Sequence, residues 1–195
     1  MELTQTRLAG LTFRATSPRY SDLHRTAEMS RRFPGRFNTA AVGAVYVSRE
    51  PETAIEELRR RAARDGIALT DMHPRSIFVI DLHLHEVVDL TALGQLEAWG
   101  LTPQSLLSDD VGRCQEVAAV AARLGAEGIR WASATGAGQS LAVFVDSLLP
   151  GSHAEIARTF DLTREMLAAI DGGASLRAVI PSFGDIPLLP ETVGK

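Results

Sequence analysis

Ala44-Val45-Tyr46-Val47-Ser48-Arg49-Glu50-Pro51-Glu52-Thr53-Ala54-Ile55-Glu56-Glu57-Leu58 is the stretch in which the fold class becomes readable. Its first five residues alternate. Val45 and Val47 take one face of a strand, and Ala44, Tyr46 and Ser48 take the other. Pro51 then suits the first position of a helix, where its missing N–H costs nothing, and Glu50 and Glu52 lie at the positive end of that helix. The helix is expected to continue to Arg64 and to stop near Gly66.

The surrounding segments do not continue a regular strand–helix series. Upstream, residues 11–15 read as a short strand, and residues 16–34, polar and broken by Pro18 and Pro34, as loop with a single helical turn. Downstream, residues 77–84 read as a strong strand and 86–90 as another, followed by loop and a short helix over 91–108. Asp109 or Asp110 can cap a helix over 111–124, with Gly125 just past its end. Strands at 129–132 and 141–145 flank a glycine-rich loop. A helix is expected over 153–170, ending at Gly172-Gly173, and the tail from Ala174, carrying Pro181, Pro187 and Pro190, reads as irregular. Irregular alternation favours an α+β fold, a mixed, mostly antiparallel sheet with flanking helices, over a doubly wound parallel sheet. Residues 1–150 are expected to form one domain, with 151–195 a helix and extension packed on it.

Composition limits the function classes. The chain has 195 residues, of which 45% are hydrophobic and 23% charged, as in an ordinary globular protein rather than a disordered one. The net charge is −4, which argues against a protein that grips nucleic acid along its backbone. Within this acidic chain, however, Arg7, Arg14, Arg19, Arg25, Arg31, Arg32 and Arg36 gather in residues 7–36 against only Asp22 and Glu28. That asymmetry points to a local anion site. Cys114 is the only cysteine, so no intrachain disulfide and no cysteine-based zinc site can form, and its expected role is a small core residue. With no apolar leader and no run long enough to span a bilayer, the expected setting is cytoplasmic.

Familiar motifs are absent. Gly136-Ala137-Gly138 is an isolated GxG followed by a strand, not a dinucleotide fingerprint. His83 and His85 share a strand face but lack a third ligand at motif spacing, so they read as a half-exposed polar face and no metal is expected.

Four pieces remain: Phe13-Arg14 on a strand, Gly35-Arg36-Phe37-Asn38 in a loop, Tyr46-Val47-Ser48 leading through Pro51 to Ala54-Ile55-Glu56-Glu57, and Gly128-Ile129-Arg130-Trp131-Ala132-Ser133 after a helix that begins near Gln115. In this order they resemble the RES domain, the toxin component of RES–Xre toxin–antitoxin pairs, over residues 11–145. The Arg, Glu and Ser that name the family match Arg36, Glu57 and Ser133, and Arg14 and Tyr46 match two further family positions. The resemblance implies an ADP-ribosyltransferase-like fold and a toxin that degrades NAD⁺, by hydrolysis or phosphorolysis, and so arrests growth. NAD⁺ is then the substrate, and no separate cofactor is implied. It also implies an Xre-type helix-turn-helix antitoxin as partner, a homo-oligomer within the complex, and no direct contact with nucleic acid or membrane. Two other readings stand beside it: ADP-ribosyl transfer to a protein target, and a non-enzymatic interaction module.

On that resemblance Arg36, Tyr46 and Glu57 are the catalytic candidates, and Arg14, Arg36, Tyr46 and Ser133 the NAD⁺-binding ones. The residue types fit the chemistry. A guanidinium can fork onto pyrophosphate oxygens, which suits Arg14 and Arg36. Tyr46 offers a flat face and a hydroxyl. At about 100° per residue, Ala54, Ile55, Leu58 and Ala62 form an apolar stripe; Glu57 lies about 115° from its centre and Glu56 about 145°. Glu57 is therefore the better placed of the two to reach a cleft beside the core, although pairing with Arg60 or Arg61 also fits its spacing. Ser133 can hydrogen-bond the nicotinamide amide or ribose, or cap the following turn.

Overall fold

The computed structural model describes residues 5–134, 136 and 138–186. Pro187 and Pro190 of the expected tail, Ala137 of the GxG and the first four residues lie outside the described residues. Among the described residues six strands form one sheet: β1 (Gln5–Thr16), β2 (Val45–Ser48), β3 (Arg75–Asp89), β4 (Gly128–Ala132), β5 (Gln139–Val143) and β6 (His153–Leu162). The helices are α1 (Leu23–Arg32), α2 (Pro51–Asp65), α3 (Gln95–Ala98), α4 (Pro103–Leu107), α5 (Gly112–Arg123), α6 (Arg164–Asp171) and α7 (Leu176–Val179), with short 3-10 turns between them.

The strands pair in the order β1-β2-β5-β4-β3-β6, and β1 also pairs with β3, so the first five close on themselves. Of these strands β3 and β4 run parallel, and the other pairings among them are antiparallel. The α+β class with a mostly antiparallel sheet is therefore as expected. The β1–β2 seam is minimal, a single register pair between Phe13 and Ser48. Past that pair the two strands separate, and this split positions the site.

β3 explains the core. Ile77 and Val79 pack with Phe13 and the α2 stripe Ala54, Ile55, Leu58 and Ala62. Phe78, Ile80 and Leu82, on its other face, pack with Val45, Val47, Leu141 and Val143. A strand covered on both faces reads as a continuous apolar run, as 77–80 does. On the far side of the sheet, α5 lays Cys114, Val117, Ala118 and Ala121 against Ile129, Trp131 and Phe37, so Cys114 is a core residue.

α2 forms as its sequence dictates, with Pro51 at the start and Gly66 in the left-handed conformation (φ 67°) closing the end. Other expectations are corrected. Residues 16–34 contain a full helix, α1, whose Asp22 side chain caps it by accepting from the Arg25 N–H. It buries only Leu23, Thr26 and Ala27, too weak a stripe to read from sequence. The strands expected at 77–84 and 86–90 are one. The buried Glu127 carboxylate accepts from the His85 and Glu86 N–H groups (2.6 and 2.9 Å) where β3 passes from its β6 pairing to its β4 pairing. Most importantly, 153–162 is a strand and not the first part of a helix; only α6 is helical in that span. Its ladder with β3, from Arg75↔Leu162 to His83↔His153, overrides a composition rich in helix formers. The tail from Ala174 likewise contains α7 and a 3-10 turn up to Asp185.

Candidate active site

Where β1 and β2 separate, a cleft of about 510 Å³ opens between them and α2. Its walls include Phe13 and Arg14 from β1, Tyr46 and Ser48 from β2, and Glu57, Leu58 and Arg61 from α2, with Arg75 at the start of β3.

Glu57 faces the sheet. Its Oε1 accepts from Ser140 Oγ at 2.6 Å and from Ser133 Oγ at 3.3 Å. The side chain remains open to solvent along the cleft while protein surrounds the carboxylate on its other sides. Burial pushes this carboxyl above its ordinary range; the hydrogen bonds from Ser140 and Ser133 and the charges of Arg14 and Arg60 draw it partly back. Glu56, by contrast, pairs with Arg59 on the helix surface. Glu57 and not Glu56 lines this cleft, although Glu57 is the more exposed of the two residues.

Arg14 fills the gap between the diverging strands. Its Nη1 donates to the Tyr46 carbonyl oxygen at 2.7 Å, and its buried Nε has no protein partner. Burial lowers its pKa to about 10, so it stays cationic at neutral pH. A buried donor with no partner is costly in the free protein and is the kind of group a ligand completes.

Tyr46 is fixed at both ends. Its hydroxyl donates to Asn38 Oδ1 and accepts from the Phe37 N–H, both at 2.9 Å, and its ring meets the Trp131 edge at 6.1 Å. Burial raises the pKa of its phenol, which is neutral at any physiological pH. A Cβ at position 35 would lie 2.7 Å from the Tyr46 hydroxyl, so glycine is required there.

Arg14, Tyr46, Glu57 and Ser133 are therefore brought together. Arg36 is placed differently: its guanidinium donates to the carbonyl oxygens of Ser105 (2.6 Å) and Ser108 (2.8 Å) at the end of α4. It does not line the cleft, and these contacts tie the 35–38 loop to α4. Gln115, from α5, accordingly donates to the Gly35 carbonyl oxygen of the same loop (2.9 Å).

Sequence reasoning missed Ser140, Arg61 and Arg75. Ser140 is a polar residue opening the apolar run Leu141-Ala142-Val143, directly across from Ser48 in β2 and Trp131 in β4. That interruption was its only signal. Arg61 follows Glu57 by one helical turn, a spacing that also fits an intrahelical ion pair. Arg19, part of the basic cluster, lines the cleft; Arg31 and Arg32 instead pair with Asp146 and Glu28. His83 and His85 share one face of β3 with His153 of β6 stacked on His83, and no group of metal ligands forms among the described residues. No helix among the described residues is long and apolar enough to cross a membrane.

The arrangement can stabilise a positive centre at Glu57 while arginines hold an anion beside it. A family model described as the RES domain matches residues 11–165, which extends the expected span to include β6. Proteins named NAD(+) phosphorylase MbcT, from Mycobacterium bovis and Mycobacterium tuberculosis, are 29% identical over 154 residues, covering 76% of this chain and 82% of each relative. Among solved structures, a chain of the M. tuberculosis MbcT-MbcA toxin-antitoxin complex matches with a TM-score of 0.72 and 24% identity. That match covers 86% of this chain and 92% of the other, and it establishes likeness of fold.

Proposed function

The chain belongs to the RES domain family, and from that premise we propose that it is the toxin of a toxin–antitoxin pair and degrades NAD⁺ by cleaving the nicotinamide–ribose bond. The observation that carries this reading is the Glu57 carboxylate, held by Ser140 and Ser133 on the wall of a cleft that also contains Arg14.

The chemistry needs little more. Nicotinamide in NAD⁺ is cationic on nitrogen and departs neutral with the bonding electron pair, so no general acid is required. An oxocarbenium-like centre develops on the ribose. Glu57, ionised, stabilises that charge and accepts from the ribose hydroxyls; Ser133 and Ser140 keep it ionised and aimed. Arg14 supplies its free Nε to a substrate oxygen. Tyr46, locked by Asn38 and Phe37, presents its ring to the nicotinamide ribose, and Arg36 acts as a positioning residue that fastens the loop holding Tyr46. Phosphate or water then attacks the anomeric carbon; relatives named phosphorylases support phosphate.

The partner is an Xre-type antitoxin, the toxin is a homo-oligomer within that complex, and both work in the cytoplasm. A likeness of fold to a toxin chain solved with its antitoxin supports the pairing.

Glu57→Gln preserves shape and removes the charge. Loss of NAD⁺ consumption by about 10²–10³-fold in a folded variant is expected. Near wild-type turnover would refute the role of Glu57.

A further inference from the structure

A row of arginines leads along the cleft away from Glu57. Arg14 is within electrostatic reach of both Glu57 and Arg61, and Arg75 is within reach of Arg61 and Arg19. All four line the same cleft. Their charges are poorly met by the protein. Among the described residues Arg61 has only Asp65, at 3.9 Å on the exposed side of α2. Arg75 donates to the Pro74 carbonyl oxygen, and Arg19 to the Tyr20 hydroxyl while lying over that ring. Neither Arg75 nor Arg19 has a carboxylate partner among the described residues. Like charges gathered with little counter-charge oppose folding, and a bound polyanion relieves that cost.

We propose that Arg61, Arg75 and Arg19 form the subsite for the pyrophosphate of the dinucleotide, an assignment that rests on reading the cleft as an NAD⁺ site. Arg61 follows Glu57 by four residues on α2, about 6 Å along the helix axis. The pyrophosphate hangs from the 5′ carbon of the ribose whose anomeric carbon faces Glu57, so the anion lies one sugar length away, on that same scale. Guanidinium groups fork onto phosphate oxygens. Of the two sequence-based candidates for this contact, Arg14 lies beside Glu57 in the cleft, and Arg36 already donates to the Ser105 and Ser108 carbonyls. The basic N-terminal cluster thus contributes Arg19 and Arg14 to the cleft, and α2 and β3 supply the rest.

The test uses Arg75→Ala and Arg61→Ala, two side chains whose removal breaks no ion pair in the core. Calorimetry with inorganic pyrophosphate should show binding to the wild type and to Glu57→Gln, weakened about tenfold or more in either arginine variant. In kinetics, kcat/KM for NAD⁺ should fall about tenfold in each variant, while that for nicotinamide riboside, which has no phosphate, falls far less. Equal losses on both substrates, or an increase confined to the KM for inorganic phosphate, would overturn the assignment. Arginine-dependent pyrophosphate binding in a protein that never cleaves NAD⁺ would uphold the subsite and remove the catalytic reading. NAD⁺ cleavage with no pyrophosphate binding and no effect of either variant would do the reverse.

Discussion

Two arginine–carboxylate neighbourhoods on this sheet are built to opposite ends. At Asp89, on the last residue of β3, Arg130 of β4 donates from Nε to Oδ1 (3.1 Å) and from Nη2 to Oδ2, and the Thr91 hydroxyl and N–H complete the shell. Both side chains are 6% exposed. Burial alone would raise the Asp89 carboxyl, but the hydrogen bonds from Arg130 and Thr91 outweigh it and hold it below its ordinary range. At Glu57 the neighbouring Arg14 donates to a backbone carbonyl instead, and the carboxylate is raised. The first arrangement satisfies every charge and joins β3 to β4. The second keeps an acid and a base within reach of each other yet unpaired, which costs stability and leaves both free for a ligand.

The difference can be broken at the structural end first. Asp89→Ala leaves Arg130 buried with its carboxylate partner removed, and a loss of about 3–5 kcal/mol is expected in urea unfolding. The sign with pH follows. A depressed carboxyl contributes stability that is present above its unfolded pKa and lost as pH falls through its folded one, so the wild type should lose this contribution on acidification and the variant should not. A variant as stable as the wild type would show that the pair is not what joins the strands. Glu57 has the reverse sign. Its raised pKa means that its contribution is fully present below the unfolded pKa and lost as pH rises through the folded one.

A smaller effect sharpens the catalytic end. Ser140→Ala removes the shorter of the two hydrogen bonds to Glu57, worth about 1.5–3 kcal/mol for a bond to a charged group. The carboxyl should rise further, shifting the acid limb of the kcat/KM profile to higher pH and lowering activity about tenfold at neutrality. An unmoved acid limb would mean that Ser140 does not tune Glu57.

How much of this was legible differs between local and distant features. Pro51, Gly66 and the apolar stripe of α2 are local, and they fixed the helix and the facing of Glu57. β6 was misread because its pairing with β3 is a long-range fact that its own residues, few of them buried, do not encode. Ser140 was missed for the same reason: its meaning depends on α2 lying across the strand. Arg36 matched a family position, but a sequence match says nothing of which carbonyls its guanidinium will take, and here they belong to α4.

The proposed reaction is cleavage of the nicotinamide–ribose linkage in the cleft beside Glu57. The direct measurement is a time course of wild-type protein, free of any antitoxin, with NAD⁺ labelled in the ADP-ribose moiety, run with and without inorganic phosphate. Release of free nicotinamide, with the label recovered as soluble ADP-ribose or its 1″-phosphate, is the predicted result. No nicotinamide release from the folded protein under either condition would contradict the claim, and label fixed to protein would replace it with ADP-ribosyl transfer.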